Sequence, residues 1–221
     1  MGRAARGCAM VFAKAPVAGA VKSRLSPPLS PSDAAELHRR MIRHTLNTAS
    51  RADLAAIELH CTPDVTHAFF KTCQAEFPIS LKRQVDGDLG EKMRAALAAA
   101  LIHYDFALLV GTDCPSITPS YLHAAAENLN EGSPVVFGPA EDGGYGLVGL
   151  RQTVPDIFRG VPWGTATVME STRRILSVKN LAWSELTPIW DVDRPADLAR
   201  LTEDSELNYL AKGLLPTSLV L

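Results

Sequence analysis

Three cationic side chains fall within one short segment of this chain, KAPVAGAVKSR at residues 14–24. Pro16 and Gly19 disfavour an ordinary helix there, and an apolar run precedes the segment. A loop that follows a strand can direct backbone amides and cations at phosphate oxygens. The segment is therefore a candidate phosphate-binding loop, and its cations are Lys14, Lys22 and Arg24.

The spacing within this loop matches neither of the common phosphate-binding motifs. The P-loop pattern G-x-x-x-x-G-K-[ST] is absent, and so is the dinucleotide fingerprint G-x-G-x-x-G. From the spacing alone, a solvated and charged surface loop is an equally good interpretation.

Aspartates follow two of the apolar runs. Asp113 comes two residues after the end of the run at 106–111, where a carboxylate can bind Mg²⁺ or Mn²⁺ or can cap the following turn. Asp191 and Asp193 flank Val192, and alternate residues of an extended segment point the same way. These two aspartates can therefore face one cation, although Asp193 can instead cap a helix that begins near Pro195.

A third acidic segment, Glu141-Asp142-Gly143-Gly144-Tyr145, combines carboxylates with a glycine pair. Asp-Gly-Gly is typical of a hairpin turn, and glycines also allow close approach of a ligand. Tyr145 can stack on a sugar or a base, or it can pack in the interior. The loop around Trp163 is a candidate lining of an acceptor pocket.

The composition argues against several classes of protein. The net charge of −2 and pI near 6.3 leave no basic excess for a nucleic-acid backbone. No segment has the roughly 20 apolar residues that span a bilayer, and we expect no secretory signal at the N-terminus. The four cysteines form no C-x-x-C pair, which favours reduced, buried thiols. We expect a cytoplasmic protein without membrane or nucleic-acid partners, and the sequence is compatible with a homodimer.

Alternating apolar runs and helical patterns predict an α/β fold with a mostly parallel sheet, in one domain over residues 1–221. Ligands of such sheets bind at the carboxyl ends of the strands. The helical patterns begin near Ser32, which we expect to act as the cap, and at 88–103, 120–129, 165–176 and Pro195. The predicted strands are 8–13, 55–61, 79–84, 106–111, 134–137, 146–150 and 186–190.

Six blocks, in order over residues 9–201, together resemble one family. They are FAKAPVAGAVKSRL, DLGEKM, LLVGTDCPSIT, GPAEDGGYGLVGL, VPWGT and DVDRPADL. The chain resembles the glycosyltransferase-A-like family labelled radical-SAM/selenodomain-associated transferase 1. It is also similar to the 2-phospholactate and molybdenum cofactor guanylyltransferases. The resemblance implies a nucleotide-diphospho-sugar transferase fold, which is GT-A-like and Rossmann-like.

The resemblance also implies a metal-dependent transferase. Its donor would be a nucleoside triphosphate or a nucleotide-sugar, its acceptor a small molecule, and its cofactor Mg²⁺ or Mn²⁺. Asp113 and Asp193 would hold the metal, and Asp113, Asp142 and Lys22 would be the catalytic residues. The acceptor side would contain Glu141, Gly143, Gly144, Tyr145 and Trp163. The nucleotide phosphates would bind Lys14, Ala15, Pro16, Gly19, Lys22, Ser23 and Arg24.

The chain departs from the related transferases at two places. Ala13-Lys14-Ala15-Pro16 stands where nucleotidyltransferases have L-A-G-G, and Asp113 stands alone where glycosyltransferases have D-x-D. A non-catalytic nucleotide or anion sensor on the same fold is the alternative, because it would keep the cationic loop and need no metal carboxylates.

Overall fold

A computed structural model describes residues 6–154 and 157–215, and the predicted domain limits at 1 and 221 lie outside these ranges. The strands are β1 Gly7–Lys14, β2 Ala56–Thr62, β3 Ser80–Arg83, β4 Phe106–Gly111, β5 Val135–Pro139, β6 Tyr145–Leu150 and β7 Ser184–Glu185. The α-helices are α1 Pro31–Arg51, α2 Ala68–Glu76, α3 Leu89–Ala100, α4 Pro119–Asn130, α5 Val168–Val178 and α6 Pro195–Glu203. Short 3₁₀ helices cover Ser23–Leu25 and Asn208–Leu210.

The strands form one sheet in the order β3-β2-β1-β4-β6-β5-β7. β1 lies between β2 and β4 and runs parallel to both, while β6 is antiparallel to β4 and β5. The sheet is therefore mostly parallel and flanked by helices, which confirms the predicted fold class. The carboxyl ends of β1, β2 and β4 meet at one edge, as parallel pairing requires.

Alternate residues of the central strands bury opposite faces of the sheet, as the two-residue period of a strand dictates. On β4, Leu108 packs on the side of α1 and α4, and Leu109 packs on the side of α3 and α5. A third apolar cluster joins the 3₁₀ turn at Leu25 to α1 and α6. This third cluster supports both the loop after β1 and the segment that contains Val192.

Side-chain caps begin helices α1 and α3, and the cap of α1 differs from the prediction. Ser30, not Ser32, caps α1: its hydroxyl accepts from Asp33 N at 3.1 Å, and Pro31 takes the first helical position. Asp88 and Glu91 form a reciprocal capping box at the start of α3.

The last predicted strand, 186–190, is wrong in position. The regular strand is Ser184–Glu185, and beyond it only Ile189 forms an isolated bridge with Ala140. Pro188 lies between and has no amide hydrogen to donate, so a continuous ladder is interrupted there. The sequence reading also missed α2 entirely.

Candidate functional site

A cleft of about 480 Å³ opens at the carboxyl ends of β1, β2 and β4. Its lining includes residues of the loop after β1 and of the segments 140–146, 163–168 and 191–193. A second cavity of about 390 Å³ adjoins it and shares Arg24, Asp142, Asp191 and Asp193 with it. The residues that the sequence singled out from separate segments therefore meet at one place.

Lys22 is the buried centre of this site. Its ammonium group donates to the Asp113 carboxylate at 2.6 Å and to the Val192 carbonyl at 2.5 Å, and only 5% of its side chain is exposed. The backbone adds a third link, because Val192 N donates to Asp113 O at 2.8 Å. Lys22 thus ties together the loop after β1, the end of β4 and the segment before α6.

Asp113 stands at the floor of the cleft, where 58% of its side chain remains exposed. The crowded surroundings remove water from its carboxylate and act to raise its pKa. The charge and hydrogen bond of Lys22 outweigh that effect, with a smaller contribution from His38, and hold the pKa of Asp113 below its usual value. Asp113 is therefore ionised and open to the cleft, as a metal ligand would need to be.

The other two loop cations are more accessible than Lys22. Arg24 donates to Asp193 Oδ2 at 2.7 Å, yet 66% of its side chain is exposed. Lys14 is exposed and donates to the Ala20 carbonyl at 2.8 Å, closing the loop on itself. Both side chains line the cleft, so an anion there can exchange these contacts for its own.

The backbone of the loop is partly committed to the fold. Ala15 N donates to Thr62 O at 2.8 Å, and Pro16 has no amide hydrogen, so neither offers an amide to a ligand. Among the described residues, no acceptor receives a hydrogen bond from the amides of Gly19 or Ser23. Gly19 has a φ of 78°, which glycine adopts without strain.

Asp191 and Asp193 flank the fully buried Val192 and both line the cleft, as their alternate spacing predicts. Asp193 does not cap α6. Instead the Asp197 carboxylate accepts from Asp193 N at 2.9 Å and from Arg194 N at 2.6 Å. This leaves the Asp193 side chain to Arg24.

The surroundings of Asp191 disfavour the ionised form of its carboxyl group. Loss of water and the nearby charges of Asp142, Asp197 and Asp193 raise its pKa to about 6. Asp142 also lines the cleft, and its Oδ1 accepts from Gly144 N at 2.8 Å. The site therefore concentrates carboxylates on the side that faces the cationic loop.

These carboxylates fit a hard divalent cation in chemistry, because Mg²⁺ and Mn²⁺ prefer oxygen ligands. Within residues 6–154 and 157–215, no group of three or more His, Cys, Asp or Glu side chains is arranged to hold a metal ion. Mg²⁺ commonly takes only one or two carboxylates and completes its shell with water and substrate phosphates. Asp113 and Asp193 are compatible with that mode.

The glycine pair forms the predicted hairpin turn between β5 and β6. Gly143 has a φ of 90°, and a Cβ atom there would lie 2.0 Å from the Ala166 carbonyl oxygen. Met169 N donates to Gly143 O at 2.8 Å, so the turn also holds the start of α5. The glycine thus brings two walls of the cleft into contact.

The other residues predicted for the acceptor side differ in accessibility. Glu141 is paired with Arg200 at 2.7 Å, and Arg200 lies over the Trp190 ring at 4.6 Å. The Tyr145 ring packs edge-on against Phe137 at 5.0 Å and against Trp163 at 6.1 Å. Burial raises the pKa of Tyr145, so this tyrosine acts in packing as well as lining the cleft.

Sequence reasoning missed other residues of the site. His38 lines the cleft, 5% exposed, with Nε2 at 3.0 Å from Lys14 O. Gln84 and Met93 line the cleft, and Arg200 contacts Glu141. Gln84 is the last residue of the predicted strand 79–84, and this position at a strand end is the one available signal.

More than half of the chain matches a family model. The model DUF2064, described as an uncharacterized protein conserved in bacteria, matches residues 45–165. The chain belongs to this family. The DUF2064 match includes Asp113, Asp142 and Trp163 but begins after the cationic loop. The more specific radical-SAM/selenodomain label stays a prediction, and no curated protein matches the chain.

Solved structures share the fold of this DUF2064 protein. A Desulfovibrio desulfuricans G20 protein, assigned provisionally as a nucleotide-diphospho-sugar transferase, is 29% identical with a TM-score of 0.83, covering 97% of this chain and 96% of its own. CMP:2-keto-3-deoxy-manno-octonic acid synthetase complexed with CTP is 14% identical, with a TM-score of 0.56 and coverage of 90% and 97%. Rv0371C of Mycobacterium tuberculosis, complexed with manganese, is 20% identical, with a TM-score of 0.53 and coverage of 91% and 100%.

Two further expectations have direct outcomes. All four cysteines are free and buried, as predicted. No helix in the described part of the chain is both long and apolar enough to traverse a bilayer.

Proposed function

We propose that this protein is a metal-dependent transferase that takes a nucleoside triphosphate or a nucleotide-sugar as donor and a small molecule as acceptor. The observation that carries the proposal is the pairing of two surfaces in one cleft. Exposed cations, Lys14 and Arg24, face a group of carboxylates that includes Asp113 and Asp193. The first surface suits phosphate oxygens, and the second suits a divalent cation.

Within this proposal, Lys14 and Arg24 bind the donor phosphates, together with the amides of Gly19 and Ser23. Lys22 has a different role from the one its spacing suggested. It is buried and bonded to Asp113, so it orients that carboxylate and reaches no phosphate directly. Ala15 and Pro16 shape the loop through Thr62 and Arg39.

Asp113 and Asp193 would hold Mg²⁺ or Mn²⁺. The bound ion would neutralise the phosphate oxygens on which negative charge develops during transfer. One structural neighbour is complexed with CTP and another with manganese, which supports a nucleotide donor and a divalent metal for this fold. Arg24 would then exchange Asp193 for a phosphate oxygen.

On the acceptor side, Asp142 is proposed to orient the attacking hydroxyl and accept its proton. Gly144 allows the acceptor close approach, Tyr145, Trp163 and Glu141 border it, and Gly143 shapes the turn against Ala166. In nucleotidyl transfer, the acceptor oxygen bonds to the α-phosphorus and pyrophosphate leaves. In glycosyl transfer, it bonds to the anomeric carbon and a nucleoside diphosphate leaves.

Labelled donors distinguish the two reactions. The purified protein would be incubated with each nucleoside triphosphate and with nucleotide-sugars in Mg²⁺ or Mn²⁺. Pyrophosphate release identifies a nucleotidyltransferase, and nucleoside diphosphate release identifies a glycosyltransferase. Calorimetric titration of each donor with metal measures binding independently of the acceptor.

Variants separate catalysis from binding. Asp142→Asn should reduce turnover by about 100-fold or more while donor binding persists, since a general base contributes on that order. Asp53→Asn, an exposed change outside the cleft, is the matched control and should retain full turnover. Donor binding that survives loss of both Asp113 and Asp193, without turnover, would favour the non-catalytic sensor. Absence of any nucleotide binding with metal would refute both functions.

A further inference from the structure

Gln84 is a buried polar residue in the wall of the cleft, where it follows β3 directly. Only 8% of the residue is exposed. Its Nε2 donates to the His60 carbonyl at 2.8 Å, and its backbone amide donates to Cys61 O at 3.0 Å. The first bond holds the side chain against β2, and the second holds the backbone there.

The bond to His60 decides which way the amide of Gln84 is oriented. A backbone carbonyl only accepts hydrogen bonds, so the NH₂ group of Gln84 must face His60 O and the Oε1 atom must face away. Among the described residues, none donates a hydrogen bond to Oε1. Gln84 therefore presents an unused acceptor on a side chain that is held rigidly.

Apolar side chains line the cleft together with Gln84, among them Phe12, Leu89 and Met93. The Phe12 ring lies 5.5 Å from the ring of His60, whose carbonyl binds Gln84. On the other side, Gln84 borders a smaller cavity of about 220 Å³. Apolar side chains together with one fixed acceptor suit an aromatic heterocycle that carries a hydrogen-bond donor.

The distance from Gln84 to the cationic loop fits a nucleoside. Lys14 pairs with Thr62 across β1 and β2, and Arg83, the residue before Gln84, pairs with Cys61 across β2 and β3. Gln84 therefore lies two strand spacings, or roughly 10 Å, from Lys14. A base beside Gln84 can accordingly carry its phosphates to the loop.

We propose that Gln84 Oε1 reads the base of the donor nucleotide and selects bases with an exocyclic amino group over those without one. This inference rests on the proposed function, since it identifies the donor of the same site. An amino group supplies a hydrogen to Oε1 without bringing an oxygen close to it. The only donor on the pairing edge of uracil is N3–H, which lies between two carbonyl oxygens that would face the Gln84 and His60 oxygens.

The test compares nucleotides that differ in this group alone. Titration calorimetry with Mn²⁺ would measure CTP against UTP and ATP against ITP on the wild-type protein. We expect the amino-bearing member of at least one pair to bind about 10-fold more tightly, because the other member displaces water from Oε1 without replacing its hydrogen bond. Equal affinities within both pairs would overturn the proposal while leaving the proposed function intact.

Gln84→Met removes the acceptor at similar volume. It should bring the preferred pair to within about twofold of each other, mainly by weakening the amino-bearing member. Gln74→Met, at an exposed glutamine of α2, is the matched control and should retain the preference. A preference that survives Gln84→Met would overturn the proposal. If this variant fails to fold, the wild-type comparison still decides, and if no nucleotide binds at all, both the proposal and the proposed function are wrong.

Discussion

At the scale of single residues, burial decides whether a cation of this site stabilises the fold or is available to a ligand. Lys14 and Lys22 occur in one loop and cannot be ranked from their spacing. The fold buries one against Asp113 and Val192 and leaves the other at the surface. A buried cation that loses its partners is costly, whereas an exposed one is largely satisfied by water.

Substitution of the two lysines should therefore have unequal effects. Lys22→Met should lower the free energy of unfolding by about 2 kcal/mol, less than for a fully buried pair because Asp113 is open to water. Lys14→Met should change it by less than about 0.5 kcal/mol. Denaturant unfolding of both variants measures the difference. Equal losses would show that Lys22 does not hold the site together.

The Asp113–Lys22 pair also predicts a pH dependence of stability. The pKa of Asp113 is lower in the folded protein than the unfolded value of about 3.9. Its carboxylate therefore contributes stability above that pH, and the contribution is lost as the pH falls through the folded pKa. Asp113→Asn should be less stable than wild type at pH 7, with a gap that narrows below about pH 4. Denaturant unfolding at each pH from 7 to 3 measures the difference in unfolding free energy between the variant and wild type. A constant difference over this range would contradict a lowered pKa of Asp113.

At the scale of elements, the sequence predicted the central strands and every α-helix except α2, but not the contacts between them. Apolar runs bounded by turns located the central strands because burial demands such runs. The prediction of the last strand was wrong because Pro188 interrupts the hydrogen-bond ladder. The apolar periodicity of the sequence does not show where a strand pairs with its neighbour. The acidic clusters were found as strand ends, but the pairing of Arg24 with Asp193 joins residues far apart in the chain. Gln84 was missed because its role depends on a carbonyl of β2.

The turn after β5 gives a prediction at this scale. Gly143→Ala would place a Cβ atom 2.0 Å from the Ala166 oxygen, so the segment before α5 must move and the bond from Met169 N must weaken. We expect a loss of about 3 kcal/mol, well beyond the strain of a positive φ alone. Gly160→Ala is the control: its φ is 76° with no atom within 4 Å of the added Cβ, so only about 1 kcal/mol should be lost. Thermal unfolding of the two variants measures both, and similar losses would mean that the turn does not brace the cleft.

At the scale of the whole molecule, two apolar clusters stabilise the sheet and a third supports the site. The two clusters on the faces of the sheet build the scaffold. The third lies beneath the site, because it contains Leu25, next to Arg24, and Val192, between the two cleft aspartates. The walls of the cleft therefore rest on a core that is separate from the sheet's main packing.

This division predicts that core substitutions of equal cost will differ in their effect on binding. Leu201 belongs to the third cluster and Leu46 to the cluster on the α1 face, and both are fully buried. Leu201→Ala and Leu46→Ala should each cost about 3 kcal/mol in unfolding free energy, by loss of buried contacts and creation of a cavity. Below the melting temperature of both variants, Leu201→Ala should weaken nucleotide binding several-fold, while Leu46→Ala should leave it near the wild-type value. Calorimetric titration with a nucleotide and Mn²⁺ tests this, and parallel losses of affinity would mean that general destabilisation, not the third cluster, governs the geometry of the cleft.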